Sequence, residues 1–144
     1  MVKKLFLLLV HLAVFHSTIA CASVADAKGE AERVAMRYFG AVQADQFDEV
    51  LPLYAPEFFD KTPRDVWLQF LKNVNTRLGN LKSYELIRWE VRANVSSVRT
   101  GTITILEYKA TYSKQTAVER LTIFRPSQGG EAKILGHNIT WDPF

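Results

Sequence analysis

The chain has 144 residues, 48% of them hydrophobic, with 18 basic and 15 acidic side chains, three histidines and a single cysteine. That length supplies one substantial core and little beyond it. One cysteine excludes an internal disulfide, and basic residues interspersed with acidic ones, without a Lys/Arg block, give nucleic acid no footprint.

Lys3 and Lys4 precede an apolar run over Leu5–Ala20, interrupted by His11, His16, Ser17 and Thr18. A cationic start, an apolar middle and small residues at a cut are the layout of an export signal, here residues 1–20. The run is shorter than the about 20 apolar residues of a membrane-spanning helix and lacks a cationic stop-transfer cluster. Two cuts fit. Ala20-Cys21-Ala22 satisfies the small-x-small rule, which would remove the cysteine with the leader. Thr18-Ile19-Ala20-Cys21 instead resembles the bacterial lipobox, with Thr18 where Leu is usual, and would make Cys21 the lipidated first residue of the mature chain. The lipobox reading makes Cys21 the expected lipid anchor, and the periplasm or cell envelope the expected location. Without the leader the chain keeps 16 basic and 15 acidic side chains and one histidine, His137.

Residues 21–29 (CASVADAKG) are small and polar and read as a tether to a single domain over 30–144. The spacing of Val34, Tyr38, Ala41 and Val42 predicts a first helix over roughly 29–44. FDEVLPLYAPEFF then gives a shorter helical piece, interrupted by proline, with Phe47, Val50, Leu51 and Tyr54 inward. Thr62-Pro63-Arg64-Asp65 reads as a start signal, Thr as the cap and Pro at the first helical position. Trp67, Phe70, Leu71, Val74 and Leu78 form one stripe of this third helix, which Gly79 stops. After Gly79 the period falls from 3.6 to 2. Four alternating segments follow, at 81–95, 100–112, 116–125 and 132–141, joined by short turn-rich connections that predict antiparallel neighbours. Three N-terminal helices packed on one face of a curved four-stranded meander is an α+β arrangement.

This order of elements, with YFGAVQADQFDEVLPLYAPEFF in the helical half, resembles the nuclear transport factor 2-like superfamily, whose fold is a cone. In the sheet half, Leu78-Gly79, Gly101, Tyr108, Tyr112, Val118-Glu119 and Leu135-Gly136 resemble small exported bacterial proteins of unknown function. The resemblance spans residues 30–141 and implies a cone with an interior able to hold a ligand. The superfamily's isomerases use an inward Asp and an oxyanion-stabilising Tyr/Asp pair. Neither has a counterpart here, and Asp60 lies in a loop.

A hairpin with Lys114 and Gln115 at its centre would set Tyr112 opposite Ala117, Ala110 opposite Glu119 and Tyr108 opposite Leu121. One face then carries Leu106, Tyr108, Ala110, Tyr112, Ala117, Leu121 and Ile123, with Glu119 the misfit. The other carries Glu107, Lys109 and Arg120. A carboxylate on an apolar face needs a partner. On the last strand His137 alternates with Leu135, Ile139 and Trp141, so Trp89, Tyr108, Tyr112, Glu119 and His137 are the expected lining of one pocket. The plainer expectation is that a tyrosine hydroxyl or a backbone amide satisfies Glu119, which then has a structural role. No phosphate loop, nucleophile elbow or metal-ligand spacing is present, and no cofactor is expected. The sequence therefore points to non-catalytic binding of a small molecule or an envelope protein, with no catalytic residue assigned and a homodimer through the sheet left open. The rivals are an enzyme using Glu119 and His137 as an acid–base pair, and a structural dimerisation module.

Overall fold

Period-2 sequence after Gly79 becomes the platform on which the rest packs. The computed structural model describes residues 2–95 and 99–142, and the side chains of 23–94 and 99–142. Its elements are α1 (Val2–Gln43), two 3-10 turns (Phe47–Leu53 and Pro56–Phe58), α2 (Arg64–Leu78), and strands β1 (Leu81–Val95), β2 (Thr100–Tyr112), β3 (Thr116–Pro126) and β4 (Lys133–Thr140). The strands pair in chain order, each antiparallel to the next, in an open sheet. The α+β architecture of helices followed by a four-stranded antiparallel sheet is therefore as the sequence pattern requires. Val34, Tyr38 and Val42 of α1, Phe47 and Val50 of the first turn, Tyr54 just after it, and Trp67, Leu71, Val74 and Leu78 of α2 all enter one core with the sheet residues. Among the described residues no helix is long and apolar enough to cross a membrane.

Three local expectations need correction. First, α1 does not begin near 29: Ser23–Gly29, expected as a tether, is helical, with Ala27 buried. The segment is rich in alanine, and Lys28 and Glu32 pair one turn apart at 2.7 Å, so one glycine does not stop the helix. The side chain of Cys21 lies outside the described residues. Second, α2 is capped by Pro63, not Thr62. Pro63 is extended (ψ 146°), and its carbonyl accepts the Trp67 amide at 2.9 Å, so the first helical residue is Arg64. Third, the β2–β3 hairpin is two residues out of the expected register: Thr111 faces Thr116, Ala110 faces Ala117 and Tyr108 faces Glu119. Ser113 and Lys114 form the turn because their amides bond the carbonyls of Asn80 and Leu78, each at 2.9 Å, while Tyr112 N–H bonds the Gln115 carbonyl. A shift of two preserves which face each residue occupies, and Leu106, Tyr108, Ala110, Tyr112, Ala117, Leu121 and Ile123 are all buried.

Two glycines are required by this packing. Gly79 has φ +83°, a conformation disfavoured for side-chain-bearing residues, and its α-carbon abuts Ser113, so it seats the hairpin turn against the end of α2. A Cβ on Gly101 would sit 2.1 Å from the Arg125 carbonyl oxygen and 2.8 Å from the Phe124 ring.

Candidate functional site

Glu119 sits on β3 between inward neighbours Ala117 and Leu121, so the strand itself drives a carboxylate into the core. Its side chain is completely buried, as is that of His137. Burying a charge at that depth is costly unless hydrogen bonds replace water, and three elements supply them. Tyr38 of α1 donates its hydroxyl to Oε2 at 3.0 Å. Tyr112, seven residues back across the hairpin, donates to Oε1 at 2.5 Å. His137 Nε2 on β4 lies 3.2 Å from Oε2. On the far side of the ring, Nδ1 is 2.8 Å from the Tyr54 hydroxyl.

One proton arrangement satisfies every one of these contacts. The carboxylate accepts from both tyrosines and from His137 Nε2–H, and the neutral imidazole accepts the Tyr54 proton at Nδ1. The indole N–H of Trp67 lies close enough to the Tyr54 oxygen to favour its phenolate, without the alignment of a full hydrogen bond. Burial pushes the phenols of Tyr38, Tyr54 and Tyr112 well above the usual tyrosine range, and the Glu119 charge adds to the rise in each. These phenols are thus held as donors. The imidazole is also enclosed by rings: Tyr38 and Trp67 meet it edge-on at 4.9 and 5.4 Å, and Tyr54 is stacked at 6.2 Å.

His137 reaches the network because β4 carries a bulge. Ile123 pairs with Ile134 whereas Thr122 pairs with Gly136, so Leu135 is the extra residue. Ile134 and Ile139 point into the core, and Leu135, expected inside beside His137, lies instead at the half-exposed rim. A backbone bond from Ala55 to the Ile134 carbonyl, 2.8 Å long, ties the first 3-10 turn to β4 and brings Tyr54 beside His137.

Of the five expected pocket residues, Glu119, Tyr112 and His137 come together. Tyr108 is the strand partner of Glu119, but its ring packs against Phe39 and Tyr84 at 4.9 and 5.9 Å. Trp89 stands apart on the edge strand, 46% exposed, with Lys28 Nζ 5.5 Å from its ring centre. Tyr38, Tyr54 and Trp67, which complete the network, were legible only as inward helical residues. The available signal was complementary need: inward phenols lacking acceptors, and an inward carboxylate lacking donors.

Behind this sealed centre lies an open groove of about 560 Å³, lined by Glu57, Phe58, Asp60, Lys61, Thr62, Leu135, Gly136 and His137. The bulge at Leu135 forms one wall and the 57–62 loop the other. Glu57 is held by Arg99. Phe58 packs on Trp67 and Tyr54, 5.0 and 4.6 Å between ring centres, so the groove floor is continuous with the aromatic shell around His137. Among the described residues no three His, Cys, Asp or Glu side chains converge as metal ligands would.

A family model described as a protein of unknown function (DUF4019) matches residues 34–136, from α1 through the β4 bulge. Neither a curated protein nor a solved structure matches the chain.

Proposed function

The chain belongs to the DUF4019 family of proteins of unknown function, and from its own residues we propose that it is an exported, lipid-anchored envelope protein that binds a small polar molecule without transforming it. Export and anchoring rest on the cationic-apolar leader and on Thr18-Ile19-Ala20-Cys21. The fold reading that accompanies them is a nuclear transport factor 2-like cone. Its support is the order of helices before meander and the reach of Tyr38 and Tyr54 into the sheet interior.

The observation that carries the binding reading is the sealed Glu119–His137 centre beside an open groove. Both carboxylate oxygens are engaged and neither side chain is open to solvent, although His137 borders the groove. The groove has the volume of a small-molecule site and a few polar groups, Asp60, Lys61 and Thr62, over an apolar base that includes Phe58. Native mass spectrometry of protein purified from its own host tests this. A small molecule released on denaturation, and lost in Thr62→Trp at unchanged unfolding temperature, is the expected result. Protein that carries no small molecule and binds none from a polar metabolite library refutes the reading.

The 3.2 Å contact between Glu119 and His137 favours acid–base catalysis as a second reading. It requires turnover that Glu119→Gln abolishes. A homodimer through the sheet would use its outer face, which carries exposed Val118 opposite Lys109, and light scattering of the full chain tests that association.

A further inference from the structure

We propose that the cleft between α1 and the β3–β4 turn is a phosphate-binding site in which Arg33 and Arg37 hold the anion. The cleft is separate from the groove beside His137 and does not depend on that reading. Its volume is about 280 Å³, and it is lined by Glu30, Arg33, Val34, Arg37, Gly130, Glu131 and Ala132.

Two carboxylates border this cleft, and each is already neutralised from outside it. Glu30 pairs with Arg125 at 3.1 Å and Glu131 with Lys133 at 2.7 Å. Among the described residues Arg33 and Arg37 have no ion-pair partner. They lie one turn apart on α1 and therefore on the same face. The guanidinium of Arg33 lies over the bare α-carbon of Gly29, where a side chain would meet Nη1 at 3.7 Å. The Glu131 carboxyl is held below its usual range first by the hydrogen bond from Lys133, and Arg37 also contributes, so the Arg37 charge acts across the cleft mouth. The opposite wall runs from Gly130, which has positive φ and no side chain, through Glu131 and Ala132.

Two planar guanidinium groups lining one cleft match an oxyanion that accepts paired hydrogen bonds. With Glu30 and Glu131 cancelled, the cleft presents two unpaired positive charges. A phosphate monoester carries about −1.5 to −2 at neutral pH and balances them, as one carboxylate does not. The volume accommodates a phosphate group and a short substituent, with the rest of a larger ligand outside the cleft. Such a phosphate can come from a soluble ester or from a lipid headgroup.

The test uses the full chain, with glycerol phosphate as the soluble probe in calorimetric titration in nonionic detergent, and, after detergent removal, vesicles of phosphatidylcholine with or without phosphatidic acid, whose headgroup is a phosphate monoester, in flotation. Saturable binding of glycerol phosphate, weakened at least about tenfold in R33Q/R37Q, supports the site with a soluble source. Preference for vesicles with phosphatidic acid over phosphatidylcholine alone that disappears in R33Q/R37Q supports it with a lipid source, because a lipid anchor alone confers no such preference. The single variants R33Q and R37Q, each at an exposed position, give intermediate losses. The absence of both signals, or signals equal in wild type and R33Q/R37Q, overturns the proposal.

Discussion

Replacing Glu119 by alanine removes the acceptor shared by three buried donors: the hydroxyls of Tyr38 and Tyr112, and His137 Nε2. A buried donor left without an acceptor costs about 1–3 kcal/mol. Two effects reduce the sum. Deleting the carboxylate removes its own desolvation penalty, and the vacated space admits a water with several polar neighbours. The expected net loss is about 3 kcal/mol, a large fraction of the about 5–15 kcal/mol that holds a domain folded. Urea unfolding followed by tryptophan fluorescence reads it out. At a slope of about 2 kcal/mol per molar urea, the midpoint falls by about 1.5 M. Glu119→Gln keeps one accepting oxygen but turns an amide N–H₂ toward a donating hydroxyl, so its loss lies between wild type and alanine. An alanine midpoint within about 0.3 M of wild type at unchanged slope refutes the reasoning, because it would show that the three donors are satisfied without the carboxylate.

Stability also falls in alkali: Tyr38, Tyr54 and Tyr112 have folded pKa values raised above the ordinary 10.0, so the unfolded chain releases protons that the folded chain retains. The contribution is whole below pH 10.0 and is lost above it by about 1.4 kcal/mol per pH unit per tyrosine, measurable as phenolate absorbance that rises together with unfolding. Gly101→Ala places a Cβ 2.1 Å from a backbone oxygen and costs more than about 2 kcal/mol, whereas Gly40→Ala, in α1 with nothing within 4 Å, gains about 0.5–1 kcal/mol; thermal unfolding of the two variants shows shifts of opposite sign. Cys21→Ser moves the protein from the membrane fraction to the soluble envelope fraction if Cys21 carries the lipid, and a wild-type protein already wholly soluble refutes the anchor.

Strand limits were legible because alternation is written residue by residue; β1 and β2 occupy the very segments expected. Face was legible for the same reason, and Glu119 emerged from it as an inward carboxylate. Register was not, because the amides of Ser113 and Lys114 bond the carbonyls of Asn80 and Leu78, 33 and 36 residues away in sequence, and alternation is unchanged by a shift of two. Bulges escaped as well. The extra residue at Leu135 reverses which of Ile134 and Leu135 is inside, and only the pairing with Thr122 and Ile123 reveals it. Trp89 illustrates the limit of face assignment: an edge strand leaves a large aromatic 46% exposed even where its neighbour Leu106 is wholly buried. The groove was hidden because a loop and a bulge far apart in the chain build it.

The hydrogen bonds that close the centre join residues 81 and 83 positions apart, Tyr38 to Glu119 and Tyr54 to His137. Synthesis runs from the N-terminus, so Tyr38 and Tyr54 emerge long before their partners, and the helical half waits with its inner face uncovered until the eight residues of β4 arrive. Completion of the centre is therefore tied to β4. A chain interrupted before His137 lacks Tyr54's acceptor, the ring that both tyrosines pack on, and the tie from Ala55 to Ile134 if the break falls earlier still. Loss of β4 thus weakens the seating of Tyr38 and Tyr54, which lie far from it in sequence. Copies without β4 present Tyr54 and one face of Tyr38 to proteases, so resistance to proteolysis reports whether β4 is in place.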